Sequence, residues 1–260
     1  MELNICHLYP DILNLYGDRG NILCMRRRLE WRGIDAEVTE VTVGQRADFT
    51  QFDLFFIGGG QDFEQEVLLS DLKAGKGSEI KAAIADGKTF LTICGGYQML
   101  GKQIADPHGV ETGGVIRGMG LLPVTTELGE QKVRTRVGGE ILGGMLDGCE
   151  LSGYEIHMGI SRPEGDCEPF CRIRDEITGK ERTDGVFAGN VCGTYVHGIF
   201  DHGSIAGKIV RHLAERKGLV LGEDGVDYGL FKEQQYDKLA ATLRKYLDLD
   251  AIYKMMREYE

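Results

Sequence analysis

Thr89-Phe90-Leu91-Thr92-Ile93-Cys94-Gly95-Gly96-Tyr97-Gln98-Met99-Leu100 decides how the chain is read. Thr89 to Ile93 are β-branched or apolar and carry no charge, the pattern of an interior parallel strand. Gly95 and Gly96 give the backbone the freedom of a sharp turn, and Tyr97 onward can start a helix. Cys94 therefore stands on a strand-to-helix elbow, where the helix dipole and free N–H groups favour a thiolate. A buried structural cysteine is the competing reading, since free cysteines are often core residues. Such a residue has no need of two glycines directly after it. The arrangement is the thiol counterpart of the serine elbow of hydrolases.

The residues before the elbow read as further layers of the same sheet. Leu3 to Leu8 is a strand, followed by a turn at Tyr9-Pro10-Asp11 and a polar loop at Tyr16 to Asn21. Ile22 to Trp31 has helical apolar spacing and is basic at Arg26, Arg27 and Arg28, a run read as a solvated face. Ala36 to Val43 and Phe52 to Ile57 are strands, the second ending in Gly58-Gly59-Gly60; a helix near Glu79 to Gly87 leads back to the elbow. The order predicts an α/β fold, a doubly wound and mostly parallel sheet with helices on both faces. Ligands in such sheets sit at the carboxyl ends of the strands. The loop after Leu8, the glycine run and Cys94 all emerge there.

Beyond Gly101, His108 to Gly120 reads as a glycine-rich loop. Short strands are expected at Leu121–Thr126, Val133–Val137, Leu151–His157, Phe170–Arg174, Gly185–Ala188 and Val191–Val196. Helices are expected at Gly203–Lys217, at Lys232–Leu247 after a link at Asp227–Leu230, and in the tail Ala251–Glu260. One domain over 1–260, with a helical C-terminal extension from 227, accommodates the pattern. Lys73-Ala74-Gly75-Lys76-Gly77-Ser78 is not a Walker loop: the position that needs the first glycine is Ser70, and no strand feeds it. It reads as a flexible surface turn, so no nucleotide site is expected.

Among 260 residues the net charge is −11, which argues against a nucleic-acid surface or attraction to anionic lipid. No apolar run approaches a membrane span, and the N-terminus lacks a basic region followed by an apolar one. Seven scattered cysteines suit a reducing compartment, hence a cytoplasmic protein. Cys167 and Cys171 lack a second ligand pair, and no metal or cofactor is expected on this chain.

Two further stretches carry chemistry. In Gly193-Thr194-Tyr195-Val196-His197-Gly198 a strand delivers His197 to a glycine turn, where it can act as acid and base for Cys94. A structural histidine is the plain alternative. Backbone N–H groups of Gly58-Gly59-Gly60, with the N–H after Cys94, can hold an oxyanion; a tight turn is the plain alternative there.

Together, Gly58-Gly59-Gly60, Cys94-Gly95-Gly96-Tyr97-Gln98 and Tyr195-Val196-His197-Gly198 resemble a class I glutamine amidotransferase of the cobyric acid synthase type. The resemblance implies a flavodoxin-like fold and hydrolysis of L-glutamine through a thioester on Cys94. It assigns His197 as acid/base, Gly59 and Gly95 as oxyanion hole, and Gln98 as a substrate contact. The usual Glu two residues after the histidine is replaced by Ile199. Asp18, in Asn14-Leu15-Tyr16-Gly17-Asp18-Arg19-Gly20-Asn21, is the candidate to orient His197, with Glu155 second and a plain helix cap as the alternative role of Asp18. Arg134 is the candidate grip for the glutamine carboxylate.

Residues 1 to about 105 resemble the glutaminase subunit of lipid II isoglutaminyl synthase. Tyr154-Glu155-Ile156-His157-Met158-Gly159, the stretch Gly185-Val186-Phe187-Ala188-Gly189-Asn190 and the tail from Asp227 resemble the C-terminal amidotransferase domain of cobyric acid synthase. The chain begins at the first strand of the glutaminase, which implies a separate ATP-using partner. The leading expectation is a subunit feeding ammonia to a Mur-ligase-like synthetase that amidates lipid II, with ATP on that partner. Corrinoid side-chain amidation is the alternative. A cysteine peptidase and a catalytically idle regulatory module are the readings from other classes.

Overall fold

A computed structural model describes residues 2–15, 18–60, 65–111, 113–165, 167–201, 203–221 and 226–258. Tyr16 and Gly17 of the polar loop lie outside the described residues. The chain falls into two compact units, Met1–Gly222 and Glu223–Glu260, where the sequence suggests one domain with an extension.

The first unit is built on a six-stranded sheet. Its strands are β1 (Glu2–Leu8), β2 (Asp35–Val41), β3 (Leu54–Ile57), β4 (Thr89–Ile93), β11 (Val186–Ala188) and β12 (Val191–Thr194). They lie in the order β11-β12-β4-β3-β1-β2, and all pairings are parallel except β11 with β12. Every residue of β3, β4 and β12 is buried, so these central strands need unbroken apolar or small residues. Strand β2 alternates and stands at the edge. Phe55 of β3 stacks on Phe90 of β4, ring centroids 4.4 Å apart.

Helix α1 spans Arg19–Glu30 and buries Ile22, Met25 and Leu29, the spacing of one helical face. It begins three residues before the predicted start. From β1 the chain winds to β2 on one side, then crosses to β3, β4 and β12 on the other. The switch point between β1 and β3 is where such sheets open a crevice.

Several expectations are corrected. Gln65–Asp71 is a helix, α2, that the sequence did not reveal, and it runs through a π-helical turn, Leu72–Lys76, into α3 (Gly77–Ala85). Lys73 to Ser78 is thus helical, and Lys76 is 5% exposed. Its ammonium donates to Asp71 Oδ2 at 2.5 Å and to the Thr42 carbonyl at 2.8 Å, so the stretch is a buried joint. The supposed loop at His108–Gly120 contains a strand, β6 (Gly114–Arg117), paired with β5 (Gln103–Asp106). Leu121–Thr126 and Val133–Val137 belong to one strand, β7 (Val124–Ile141), with an irregularity between Leu128 and Val133. With β8 (Glu150–Pro163), β9 (Cys171–Asp175) and β10 (Glu181–Asp184) these form a second, mostly antiparallel sheet, in the order β10-β9-β7-β5-β6 with β8 on β7.

The short helix α4 (Gly95–Leu100) follows Cys94, and α5 (Gly203–Arg216) covers the sheet beside α1. In the second unit, α6 spans Tyr228–Tyr246 and α7 Leu249–Glu258. The expected link at Asp227–Leu230 is the start of α6: Asp227 caps it by accepting the Leu230 N–H at 3.0 Å.

Candidate active site

Four strand ends meet at one edge of the parallel sheet. After β1 the chain reaches Asp18, after β3 Gly58-Gly59-Gly60, after β4 Cys94, and after β12 His197. Parallel pairing puts these loops on one side.

Cys94 has φ +51° and ψ −111°, outside the helical and extended regions, and is one of two described non-glycine residues with positive φ. The elbow geometry read from the flanking glycines is therefore present, with its backbone strain at the sulfur-bearing residue. The Cys94 N–H is held by the Thr194 carbonyl at 2.9 Å and its carbonyl accepts from Gln98 N–H at 2.9 Å. A side chain at Gly96 would collide with Ile57, its Cβ standing 2.6 Å from Cγ2. That close approach is why the turn needs glycine there.

Asp18 is fully buried, as is His197, and His197 Nδ1 lies 3.0 Å from Asp18 Oδ1. A carboxylate can only accept, so the proton sits on Nδ1 and Nε2 is the nitrogen that can receive one. Asp18 occupies the N-cap position of α1 yet makes no side-chain cap bond. Its second oxygen instead accepts the Gly59 N–H at 2.6 Å. Glu155 does not reach His197 in this way. It pairs with Arg182 and lies 3.7 Å from His157 Nε2.

Gly59 shows how closely the groups gather. A Cβ on it would lie 2.9 Å from His197 Cε1, 3.0 Å from Cys94 Cβ and 3.4 Å from Asp18 Oδ2. Cysteine, imidazole and carboxylate thus border one gap no larger than a methyl group. The Cys94 thiol faces the Ile156 carbonyl at 3.9 Å. Tyr154 stacks on the His197 ring, centroids 5.4 Å apart and planes 18° from parallel. The two residues also exchange backbone hydrogen bonds, His197 N–H to Tyr154 O at 2.9 Å and Tyr154 N–H to His197 O at 3.2 Å. Burial, then the nearby negative charge of Asp18, pushes the Tyr154 hydroxyl above its ordinary pKa.

The description "CobB/CobQ-like glutamine amidotransferase domain" matches residues 4–205. The chain belongs to this family. A cobyric acid synthase from Ruminiclostridium cellulolyticum is 44% identical over 188 residues, 69% of this chain and 36% of the relative. One from Thermoanaerobacter sp. is 39% identical over 206 residues, 74% and 41% of the respective chains. The chain thus spans about two fifths of the length of these relatives. Among solved structures, PurLQS from Thermotoga maritima superposes with a TM-score of 0.54 at 19% identity, covering 84% of this chain and 99% of that one. A glutamine amidotransferase from the same organism gives 0.50 at 16% identity, with 89% of each chain covered. These two likenesses speak to the fold: it is that of the class I glutamine amidotransferases.

The remaining family positions are placed unevenly. The glycine run is expected to aim Gly59 N–H at an oxyanion, but that N–H is spent on Asp18. Gly60 N comes closest to Gly95, 3.3 Å from where a Gly95 Cβ would stand. Gln98, expected at the substrate, is 1% exposed, and its Nε2 donates to the Tyr195 hydroxyl at 3.1 Å. Arg134 is exposed on β7, paired in register with Ile156. It lines a cleft of about 490 Å3 with Arg136, Tyr154, Ile156 and Glu176. Tyr154 and Ile156 line this cleft and also border the site, through the Tyr154 ring and the Ile156 carbonyl. Sequence reading missed them as site residues, although both fall within the quoted stretch Tyr154-Glu155-Ile156-His157.

Burial pushes the Cys6, Cys171 and Cys192 thiols up, which keeps them protonated and inert. Cys171 donates to the Asp184 carbonyl at 3.4 Å, and Cys167 faces the Glu164 and Pro123 carbonyls.

Proposed function

We propose that the chain hydrolyses L-glutamine to glutamate and ammonia, and that the ammonia goes to an ATP-dependent amidation. The observation that carries this is the gap at Gly59, bordered by Cys94, His197 and Asp18. His197 Nε2 takes the Cys94 proton, and the thiolate attacks the glutamine side-chain carbonyl. The C–N bond breaks as the imidazolium gives its proton to the leaving nitrogen, releasing ammonia and leaving a γ-glutamyl thioester. Water, deprotonated by the same nitrogen, then frees glutamate and restores the thiol. Asp18 keeps the imidazole in the required tautomer. The Gly95 and Gly60 amides are the oxyanion donors that the placement supports, with Gly59 joining only after its N–H leaves Asp18. Glutamine enters by the cleft beside Tyr154, where Arg134 meets its carboxylate.

For the acceptor, the names of the relatives favour a corrinoid over lipid II, so amidation of corrinoid side-chain carboxylates is the first reading. The synthetase that activates those carboxylates with ATP resides on the same or a second polypeptide. Lipid II amidation with a Mur-ligase-like partner is the second reading. It is favoured by Asp18 standing against His197, where the likeness to the isoglutaminyl synthase glutaminase implied an acid.

Glutamate release is measured with the wild type and with Cys94→Ala. Release that survives the substitution overturns the nucleophile assignment. Ammonia transfer is then assayed with a corrinoid-amidating synthetase and with a Mur-ligase-like one, each with ATP and its own acceptor. Amidated product in one assay alone identifies the acceptor.

A further inference from the structure

Three of the pieces of chain that build the site are joined through one oxygen atom. Cys94 precedes α4, His197 follows β12, and Tyr154 with the Ile156 carbonyl sits on β8. The Tyr195 hydroxyl accepts from Gln98 Nε2 of α4 at 3.1 Å and lies 2.7 Å from Ser161 Oγ of β8. Ser161 Oγ is in turn 2.7 Å from Thr126 Oγ1 of β7. Tyr195 is two residues from His197, and Gln98 N–H is bonded to the Cys94 carbonyl.

The ring of Tyr195 is held as firmly as its hydroxyl. It stacks on His157 with centroids 3.9 Å apart and meets the edge of Tyr97 at 5.4 Å. Its backbone N–H donates to Asp184 Oδ2 at 3.0 Å. Gln98, Thr126 and Tyr195 are all buried. Gly159 of β8 leaves room for the junction: a Cβ there would stand 2.2 Å from Gln98 Nε2, 2.8 Å from the Tyr195 hydroxyl and 3.0 Å from Thr126 Cγ2. A chain of hydrogen bonds this enclosed fixes its members in one arrangement.

We propose that Gln98, Tyr195 and Ser161 form a brace that sets the position of Cys94 against His197, so that Gln98 and Tyr195 act as positioning residues. The Gln98 amide that sequence likeness assigns to glutamine donates here to the Tyr195 hydroxyl. Small displacements of reacting groups are costly to rate, which gives a buried brace its value.

Tyr195→Phe keeps the ring and removes both hydroxyl bonds. Two readouts decide. Steady-state glutamine hydrolysis is expected to lose about tenfold to a hundredfold in kcat with KM unchanged. Alkylation of Cys94 by iodoacetamide, followed by mass spectrometry at that residue, is expected to show its pH midpoint moved upward, because the imidazole no longer sits where it favours the thiolate. A merely structural tyrosine would lower the melting temperature and leave that midpoint in place, which overturns the proposal. Gln98→Met leaving both kcat and the alkylation midpoint unchanged also overturns it, since the brace would then not act through Gln98. If Tyr195→Phe does not fold, Ser161→Ala removes the bonds to Tyr195 and Thr126 and is judged by the same readouts. The kinetic arm rests on the glutaminase reading. Should the wild type release no ammonia from glutamine, that reading fails, and the alkylation midpoint still decides the brace.

Discussion

Gly59 carries more of the site than its missing side chain suggests. Its N–H donates to one oxygen of Asp18, whose other oxygen holds His197, and its empty Cβ position is bordered by both Cys94 and His197. Gly59→Ala puts a methyl 2.9 Å from the imidazole and 3.0 Å from Cys94 Cβ. The expected result is a loss of about a hundredfold or more in kcat for glutamine hydrolysis, from displaced reacting groups. The accompanying stability cost is about 1–3 kcal/mol, read by denaturant titration. Asp18→Asn keeps the volume but no longer dictates the imidazole tautomer. Between about 10²-fold and 10⁴-fold loss of kcat is expected, with the folded state retained by circular dichroism. Cys94 and His197 are legible in sequence because strands and glycines flank both. Asp18 is legible as a charged residue in a loop at the right sheet edge. The direction of the Gly59 N–H is not legible, since it depends on an acid 41 positions away brought close by the β1–β3 pairing.

The segment from α2 to α3 shows what pattern reading loses among the elements. Lys73 to Ser78 is polar and glycine-containing and so reads as surface. In the fold, Gly75 at φ +131° lets a π-helical turn form, and Lys76 is drawn inward over the Tyr9 ring, 4.6 Å from its centroid. The ammonium is matched by Asp71 and the Thr42 carbonyl, and Asp71 also accepts the Tyr9 hydroxyl at 2.9 Å and the Gly44 N–H at 2.9 Å. Thr42, Gly44 and Tyr9 lie 27 to 62 positions from the residue each one bonds, so local composition cannot announce them. Burial raises the Asp71 carboxyl, but the donors Lys76, Gly44 and Tyr9 outweigh it and hold the carboxyl below its ordinary value. A folded pKa below the unfolded one means the unfolded chain binds more protons as pH falls. The stability from this cluster is therefore complete above the unfolded carboxylate pKa of about 4 and lost as pH drops through the folded value. Lys76→Met leaves the acid without its cation, and the expected destabilisation is on the order of 3 kcal/mol at neutral pH. The gap from wild type is expected to narrow in acid. Urea titrations at several pH values check both the loss and its pH dependence.

At the scale of the whole molecule, the two sheets have unequal shares in the chemistry and unequal legibility. The parallel sheet follows from continuous apolar strands and intervening helices, and it supplies Asp18, Gly59, Cys94 and His197. The second sheet appears in sequence only as separate short strands. Its unity comes from the 18-residue β7 pairing with β8, β9 and β5, a long-range pattern that no local window contains. Through β8 it still reaches the site, at Tyr154 and the Ile156 carbonyl. The unit Glu223–Glu260 contributes none of these groups, and neither α6 nor α7 has a buried residue. Residues 4–205, which match the family, end before it. A chain ending at Gly222 is therefore expected to keep its cooperative melting transition and the kcat and KM of the full chain for glutamine hydrolysis. The core of the first unit is complete without the helices, and every reacting group lies inside it. If the shortened chain melts normally yet hydrolyses no glutamine, then α6 or α7 supplies something the reaction needs, and Cys94, His197 and Asp18 do not suffice for it.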